Sequence, residues 1–125
     1  MKPRHAHHSE DCRAVSAILQ RVGDKWSALV VTKLGAGAMR FGELKAAVGG
    51  ISQKMLTTTL RGLERDGFVT RTVFPTIPPR VDYELTELGR ELLGPVMALV
   101  SWATSNTERI NAARNAFDDR SGPAQ

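Results

Sequence analysis

The stretch FGELKAAVGGISQKMLTTTLRGLER, residues Phe41–Arg65, decides the fold of this chain. Apolar residues recur on both sides of Gly49-Gly50 at the three- and four-residue spacing of a single helix face. Glycine adopts the left-handed backbone conformation that ends a helix without steric cost. Ser52 is a good N-cap because its hydroxyl accepts a hydrogen bond from a free backbone amide. The pattern therefore predicts two short helices joined by a tight turn.

The second of these helices has an apolar side and a polar side. The apolar side, which we expect to face inward, consists of Met55, Leu56, Leu60 and Leu63. The residues left outside are Gln53, Lys54, Thr57, Thr58, Arg61 and Arg65. Four of them, Lys54, Thr57, Thr58 and Arg61, form one exposed face with no acidic residue among them. Such a face on a short helix behind a glycine turn suits insertion into the major groove of DNA. The alternative is the solvent-exposed surface of an ordinary α-hairpin.

Two further helices are predicted before this stretch. In residues 12–22 one helix face, expected to be buried, is formed by Val15, Ile18, Leu19 and Val22. The next helix, Lys25–Leu34, is apolar over much of its circumference and should be the central helix of the core. Trp26 is interpreted as a packing anchor, and Gly35–Met39 as a loop that leads to Arg40.

Beyond Arg65 the periodicity changes from helical to alternating. The segments Phe68–Phe74 and Val81–Leu85 are rich in β-branched and aromatic residues, so both are predicted to be strands. A proline-rich loop separates them. A β-hairpin directly behind a helix-turn-helix indicates a wing.

The predicted wing carries charges of both signs. Arg71 and Arg80 are placed to contact phosphate or a minor groove. Asp82 and Glu84 are expected on the outer face of the hairpin, and pairing of Arg71 with these carboxylates is the alternative.

The C-terminal part is predicted to be helical. Thr86 is a candidate N-cap, and Pro95 is expected to break or kink the helix or to begin a new one. The long helix predicted after Pro95 carries more apolar residues than one small core can cover. We therefore expect a dimer interface that includes Val100, Trp102, Ile110 and Phe117. Packing of this helix within one chain is the alternative.

Length and composition favour one domain. The 125 residues carry a net charge of +4, which is compatible with a polyanionic partner. We expect a flexible tail over residues 1–11, a folded domain over 12–117 and a disordered tail over 118–125. Because the sequence shows no membrane span and no secretory signal, a cytoplasmic location is expected.

The sequence does not favour an enzyme. It shows no nucleophile–base pair, phosphate-binding glycine loop or catalytic carboxylate pair, and no cofactor is expected. The only cysteine, Cys12, lies close to His5, His7 and His8, but their spacing matches no standard zinc pattern. We therefore predict no metal site.

Several segments, in this order and spacing, resemble the HxlR-type winged helix-turn-helix regulators of bacteria. The resemblance implies a mainly α fold with a small β-hairpin and added N- and C-terminal dimerisation helices. It also implies a homodimer that binds a pseudo-palindromic operator in double-stranded DNA through two recognition helices and two wings. The main matching segments are Gly23–Trp26, Arg40–Leu44, Ile51–Leu56, Asp66–Arg71, Pro78–Thr86 and Trp102.

Cys12 is a candidate sensor of oxidants or electrophiles, because the resemblance implies such a role for a cysteine at this position. The family's usual proline after it is replaced by Arg13, a cation that favours the reactive thiolate. Glu10 and Asp11 act in the opposite direction, and an inert residue at a helix start is the alternative.

The sequence thus predicts a dimeric DNA-binding transcriptional regulator. The competing hypotheses are a winged-helix module that binds protein, a small redox-active thiol protein and a sequence-nonspecific DNA binder. The residues expected to contact DNA are Arg40, Ser52, Gln53, Lys54, Thr57, Thr58, Arg61, Arg71 and Arg80.

Overall fold

A computed structural model describes residues 2–121, with side chains described from residue 10 to residue 120. The chain is mainly helical with one small antiparallel sheet in the strand order β1-β3-β2, which confirms the predicted fold class. In chain order the elements are α1 (Lys2–Val22), α2 (Lys25–Leu34), β1 (Met39–Arg40), α3 (Phe41–Val48), α4 (Gln53–Arg65), β2 (Val69–Phe74), β3 (Arg80–Leu85), α5 (Glu87–Ser105) and α6 (Thr107–Ser121).

Helix α2 lies at the centre of the core, as predicted. Val30, Val31 and Leu34 on this helix are almost completely buried. They belong to one apolar cluster with leucines of α3 and α4 and with residues of both hairpin strands. Trp26 is only partly buried against this cluster, and the Lys25 ammonium lies 4.3 Å from its ring centroid. Burial of these apolar side chains is the main favourable contribution to folding.

The turn between α3 and α4 has the predicted geometry. Gly49 and Gly50 have φ angles of 71° and 74°, which side chains with a Cβ rarely adopt. The Ser52 hydroxyl accepts a hydrogen bond of 3.0 Å from the backbone amide of Met55 and so caps α4. Ile51, which is 3% exposed, anchors the turn to the core.

The inward face of α4 differs from the prediction at two positions. Met55 is 42% exposed, whereas Thr59 is only 4% exposed. Leu56 and Leu63 define the centre of the buried face, and Thr59 lies three residues after one and four before the other. Met55 therefore lies at the edge of this face, and its predicted burial was wrong.

Helix α1 differs from the prediction in length and burial. Its backbone is helical from Lys2, ten residues before the predicted start at Cys12. The predicted buried face is largely exposed, with Ile18 at 54% and Leu19 at 59%, and only Val22 packs against the core. Within one chain this burial was wrong, because the core is closed by the later elements.

The predicted chain ends and domain limits remain predictions. Helix α6 continues to Ser121, so helical backbone extends past the predicted boundary at Asp118. Met1 and residues 122–125 lie outside the described residues. The flexibility expected for residues 1–11, the disorder expected for 118–125 and the domain bounds 12–117 are not tested by this structure.

The sheet contains one strand that the sequence did not indicate. Met39 and Arg40, which were predicted to lie in and just after a loop, pair with Tyr83 and Asp82 of β3. Two residues are too few for an alternating pattern to be recognised. This short strand joins the start of the helix-turn-helix directly to the wing.

The C-terminal helices divide at a different place from the one predicted. Pro95 lies inside α5, which continues to Ser105, so a break or a new helix start at this proline was wrong, whereas the alternative of a kink stays a prediction. The helix ends at Asn106, whose side-chain amide donates a 2.8 Å hydrogen bond to the carbonyl of Trp102. Asparagine often ends helices because its side chain competes for backbone partners.

Among residues 2–121, no helix is long and apolar enough to cross a membrane.

Candidate nucleic-acid interface

The outer side of α4 presents the polar residues that the sequence singled out. Gln53, Lys54, Thr58 and Arg61 are exposed and Thr57 is half-buried. The hydroxyl of Ser52 caps the first turn, so the remaining free amides of that turn point along the helix axis toward solvent. Free amides and the helix dipole favour an anion such as a phosphate at this end.

A cleft between α4 and the wing brings four predicted residues together. Gln53, Thr57 and Arg61 line it from α4, and Arg71 lines it from β2. The apolar lining consists of Phe41, Leu60, Val81 and Tyr83. The cleft therefore has a polar, cationic rim over a largely apolar floor.

The strand register explains why Arg71 lies in this cleft. Arg71 pairs with Tyr83, and directly paired residues of antiparallel strands point to the same face of the sheet. Tyr83 is buried beneath the cleft, and its ring centroid lies 6.5 Å from that of Phe41. The pairing directs Arg71 toward α4 and away from the outer face of the wing.

Two further charged residues line the cleft and were absent from the predicted set. Arg65 has a side chain that is 82% exposed, and Glu64 is the only acidic residue of α4. The sequence pattern places Arg65 on the outer side of α4, one helical turn after Arg61, but it was not included among the predicted DNA-contact residues. With Arg61, Arg65 and Arg71 against Glu64, the cleft carries a positive balance of charge.

Arg80 lies on the opposite face of the wing, in an ion pair with Asp82. Its Nε and Nη2 atoms donate hydrogen bonds of 3.1 Å and 3.0 Å to the two carboxylate oxygens of Asp82. The hydrogen bond from Arg80 holds the pKa of Asp82 below its ordinary value, and Asp82 raises the pKa of Arg80. The guanidinium carbon also lies 4.7 Å from the ring centroid of Phe74.

Arg40 belongs to this outer group. It is directly paired with Asp82 in the sheet, and its charge contributes to the lowered pKa of that carboxyl. The backbone amide of Arg40 donates a 2.9 Å hydrogen bond to the carboxylate of Glu43, which fixes the start of α3. Arg40 and Arg80 thus flank one carboxylate on the outer face.

The alternative pairing of Arg71 with the wing carboxylates was wrong. Asp82 pairs with Arg80, and Glu84 lies 3.7 Å from Arg90 of α5. Arg71 faces the other side of the sheet, because it pairs with Tyr83, which lies between these acidic residues in sequence. The two wing arginines of the predicted site therefore lie on opposite faces.

The residues predicted for the dimer interface lie on α5 and α6. Val100 is 37% exposed, Trp102 is 56% exposed, Phe117 is 60% exposed and Ile110 is half-buried. The guanidinium of Arg120 lies 5.9 Å from the ring centroid of Phe117.

Cys12 is exposed on α1. Among the residues that the structure describes, no group of histidine, cysteine and acidic side chains forms a metal site. The side chains of His5, His7 and His8 lie outside the described part of the chain.

A capped recognition helix behind a glycine turn, followed by a β-hairpin that shares a cationic cleft with it, defines a winged helix-turn-helix protein. The HxlR-like helix-turn-helix family model matches residues 21–111, and the chain belongs to this family. It is a transcriptional regulator with a helix-turn-helix fold.

Individual relatives agree with this assignment. The HTH-type transcriptional regulator YtfH of Escherichia coli is 39% identical over 98 residues, which cover 78% of this chain and 78% of that protein. The structure of the transcriptional regulator YtfH from Salmonella typhimurium superimposes with a TM-score of 0.76 at 38% identity, covering 81% of this chain and 90% of the other. The redox regulator HypR in its reduced form gives a TM-score of 0.73 at 37% identity, with coverages of 79% and 98%.

Proposed function

We propose that this chain binds a pseudo-palindromic operator as a homodimer, with α4 in the major groove and the wing against the DNA backbone. The observation that carries the proposal is the cleft in which Gln53, Thr57 and Arg61 of α4 meet Arg71 of the wing. A groove edge and its neighbouring phosphates require this combination of hydrogen-bonding and cationic groups. Glu64 is the only acidic residue of α4, which favours DNA over a basic protein partner.

The predicted residues divide into two roles. The residues assigned to sequence recognition lie on the outer side of α4 and are Gln53, Lys54, Thr57, Thr58 and Arg61. Ser52 and the arginines Arg40, Arg71 and Arg80 are assigned to the phosphate backbone. Arg80 is held by Asp82 through two donors, which leaves its remaining donors for a phosphate.

The homodimer is proposed from the apolar side chains that one chain leaves exposed. On α1 these include Ile18 and Leu19, and on α5 they include Leu99 and Trp102, each more than half exposed. A surface of this kind on terminal helices indicates burial against a second copy. The predicted interface residues Val100, Trp102, Ile110 and Phe117 lie on the same C-terminal helices.

Selection of binding sites from random DNA tests the function directly. Wild type is expected to enrich a two-fold symmetric site whose half-sites lie about 10 bp apart or a multiple of that. Lys54→Ala and Thr57→Ala are expected to change the selected sequence, because a base-reading pair contributes about 1–3 kcal/mol of discrimination. Arg80→Ala is expected to weaken binding to all DNA sequences by the same factor. It should also lower the slope of log affinity against log salt concentration by about one.

Lys33→Ala is the matched control, since Lys33 is exposed on α2 outside the cleft. It removes the same charge as Lys54→Ala and should leave the selected sequence unchanged. If random DNA yields no enriched sequence with wild type, DNA reading is refuted and a winged-helix module that binds protein replaces it. If Lys54→Ala and Thr57→Ala select the wild-type sequence, the assignment of base-reading residues is wrong.

We also propose that oxidants or electrophiles modulate DNA binding through Cys12. The thiol is exposed, and the structurally similar HypR is a redox regulator. The Cys12 thiolate would attack a small-molecule disulfide, so that one S–S bond breaks as another forms and one thiolate leaves. Treatment with oxidised glutathione should change operator affinity in wild type but not in Cys12→Ser. An equal response of the two proteins, or no response of wild type, would refute the sensing role.

A further inference from the structure

The side chain of Arg21 connects helix α1 directly to the far end of the recognition helix. Its Nε atom donates a 2.7 Å hydrogen bond to Oδ2 of Asp66, and both side chains are about 30% exposed. Asp66 is the C-cap residue of α4, at the end opposite Ser52. The ion pair therefore joins a helix with an exposed apolar face to the helix that carries the DNA-contact residues.

Gly62 on α4 makes room for this connection. A Cβ atom at this position would collide with the guanidinium group of Arg21, so the guanidinium lies directly on the helix backbone. Glycine in a helix interior is less stable than alanine. At this position, however, the absence of a side chain leaves the space in which the Arg21 guanidinium packs against α4. Three residues on two helices thus form one contact: Arg21, Gly62 and Asp66.

Few other groups attach α1 to the domain. Among the described residues of α1, Val22 is the one that packs against the hydrophobic core. Val15, Ile18 and Leu19 are more than half exposed and remain available to a second subunit. The contact at Arg21 is therefore one of the few that fix the angle between α1 and the recognition helix.

We propose that Arg21, packed on Gly62 and paired with Asp66, is a positioning residue that sets the separation of the two recognition helices in the dimer. This inference rests on the proposed function, namely operator binding by a homodimer. Helix α4 has 13 residues, so its first turn lies about 20 Å from Asp66. A tilt of about 10° at Asp66 would move that turn by about 3.5 Å, close to one base-pair step.

The test measures affinity for operators whose half-sites are moved apart or together by one base pair, and for a single half-site. Arg21→Gln removes the ion pair with little change in size. Because the pair is partly exposed, we expect the preference of wild type for its best spacing to fall about two- to fivefold. Affinity for the single half-site should stay the same, since α4 itself is intact. Arg21→Lys, which keeps the charge, should restore part of the preference.

Gly62→Ala provides an independent variant, because its methyl group displaces the Arg21 guanidinium. It should reduce the spacing preference in wild type and have no further effect in Arg21→Gln, where the guanidinium is absent. Lys33→Gln is the control, because it removes one exposed positive charge on α2, away from the contact of Arg21 with α4. It should leave the spacing preference unchanged.

A second readout needs no DNA. A spin label at Thr58, introduced as Thr58→Cys in Cys12→Ser protein, reports the distance between the two recognition helices of a dimer. Arg21→Gln should broaden this distance distribution.

An unchanged spacing preference or an unchanged distance distribution in Arg21→Gln overturns the inference. Equal loss of affinity for every DNA, the single half-site included, also overturns it, because Arg21 would then only stabilise the domain. If wild type itself selects no operator, the proposed function fails. Normal operator selection by wild type with unaltered spacing in Arg21→Gln refutes the role of Arg21 alone.

Discussion

Replacing Ser52 by alanine or by aspartate separates the two roles of the first turn of α4. The Ser52 hydroxyl accepts a hydrogen bond from the amide of Met55 and so caps the N-terminal end of α4, which is the end assigned to DNA. Alanine removes the acceptor without adding charge. Aspartate keeps an acceptor at the cap and adds a negative charge beside the DNA-contact residues. Stability and DNA affinity should therefore respond in different ways to the two substitutions.

The expected changes in stability follow from the capping geometry. Ser52→Ala should lower the free energy of unfolding by about 1 kcal/mol, the usual contribution of a serine N-cap. Ser52→Asp should keep wild-type stability or gain about 0.3–1 kcal/mol, because a negative charge interacts favourably with the helix N-terminus. Urea unfolding followed by far-UV circular dichroism measures both.

The expected changes in DNA affinity have the opposite order. A carboxylate about 5 Å from a phosphate is repelled by about 0.8–3.3 kcal/mol for effective dielectric constants between about 80 and 20. Ser52→Asp should therefore bind DNA at least about fourfold more weakly than wild type. Ser52→Ala should bind more tightly than Ser52→Asp even though it is less stable. Fluorescence anisotropy with a labelled operator gives these affinities, and Ser52→Thr, which keeps a capping hydroxyl, is the control.

Two results would refute this reasoning. Wild-type affinity in Ser52→Asp would mean that the first turn of α4 does not face the DNA backbone. Wild-type stability in Ser52→Ala would mean that the cap hydrogen bond contributes nothing measurable to the fold.

Three further predictions concern packing, the wing and the dimer. Gly89→Ala should lower the free energy of unfolding by about 2–3 kcal/mol, because a Cβ at this position would collide with the backbone carbonyl of Phe68, the residue before β2. On the same helix, a Cβ at Gly94 meets no atom within 4 Å apart from its chain neighbours, so Gly94→Ala should cost less in thermal unfolding than Gly89→Ala. Arg80 lowers the pKa of Asp82, so the ion pair should persist at neutral pH and be lost only as the pH falls through that lowered pKa. An NMR titration of the Asp82 carboxyl measures this pKa, and a midpoint at the ordinary value of about 3.9 would contradict the prediction. Trp102→Glu should give a folded monomer in sedimentation analysis, since the side chain is 56% exposed in one chain, and a dimer of unchanged mass would refute its place in the interface.

Local features of the fold could be predicted because neighbouring residues determine them. The turn at Gly49-Gly50 and the cap at Ser52 each depend on backbone conformation within a few residues. The alternation of Tyr83 and Leu85 toward the core follows from the two-residue period of a strand. These features lie in the part of the chain that positions the cleft, and four of the ten cleft-lining residues belong to the predicted DNA-contact set: Gln53, Thr57, Arg61 and Arg71.

Features that depend on distant partners could not be predicted. Arg71 lies on the face of the sheet away from Asp82 because it pairs with Tyr83, and the register between the two strands determines this pairing. The apolar face of α1 was correctly recognised, but a single sequence does not say whether its own chain or a second copy covers it.

The buried and the exposed positions of α4 have separate roles, and this separation affects how the sequence of such a protein can change in evolution. The residues of α4 that pack toward the core are Leu56, Thr59, Leu60 and Leu63, all of which are buried. The exposed positions on the opposite side contribute nothing to that core. Under the proposed function, substitutions there should alter the DNA sequence that is bound while the unfolding free energy stays nearly constant. A duplicated copy of this chain is therefore free to acquire a new operator one exposed residue at a time, and a recognition surface from a relative can be grafted onto the same scaffold.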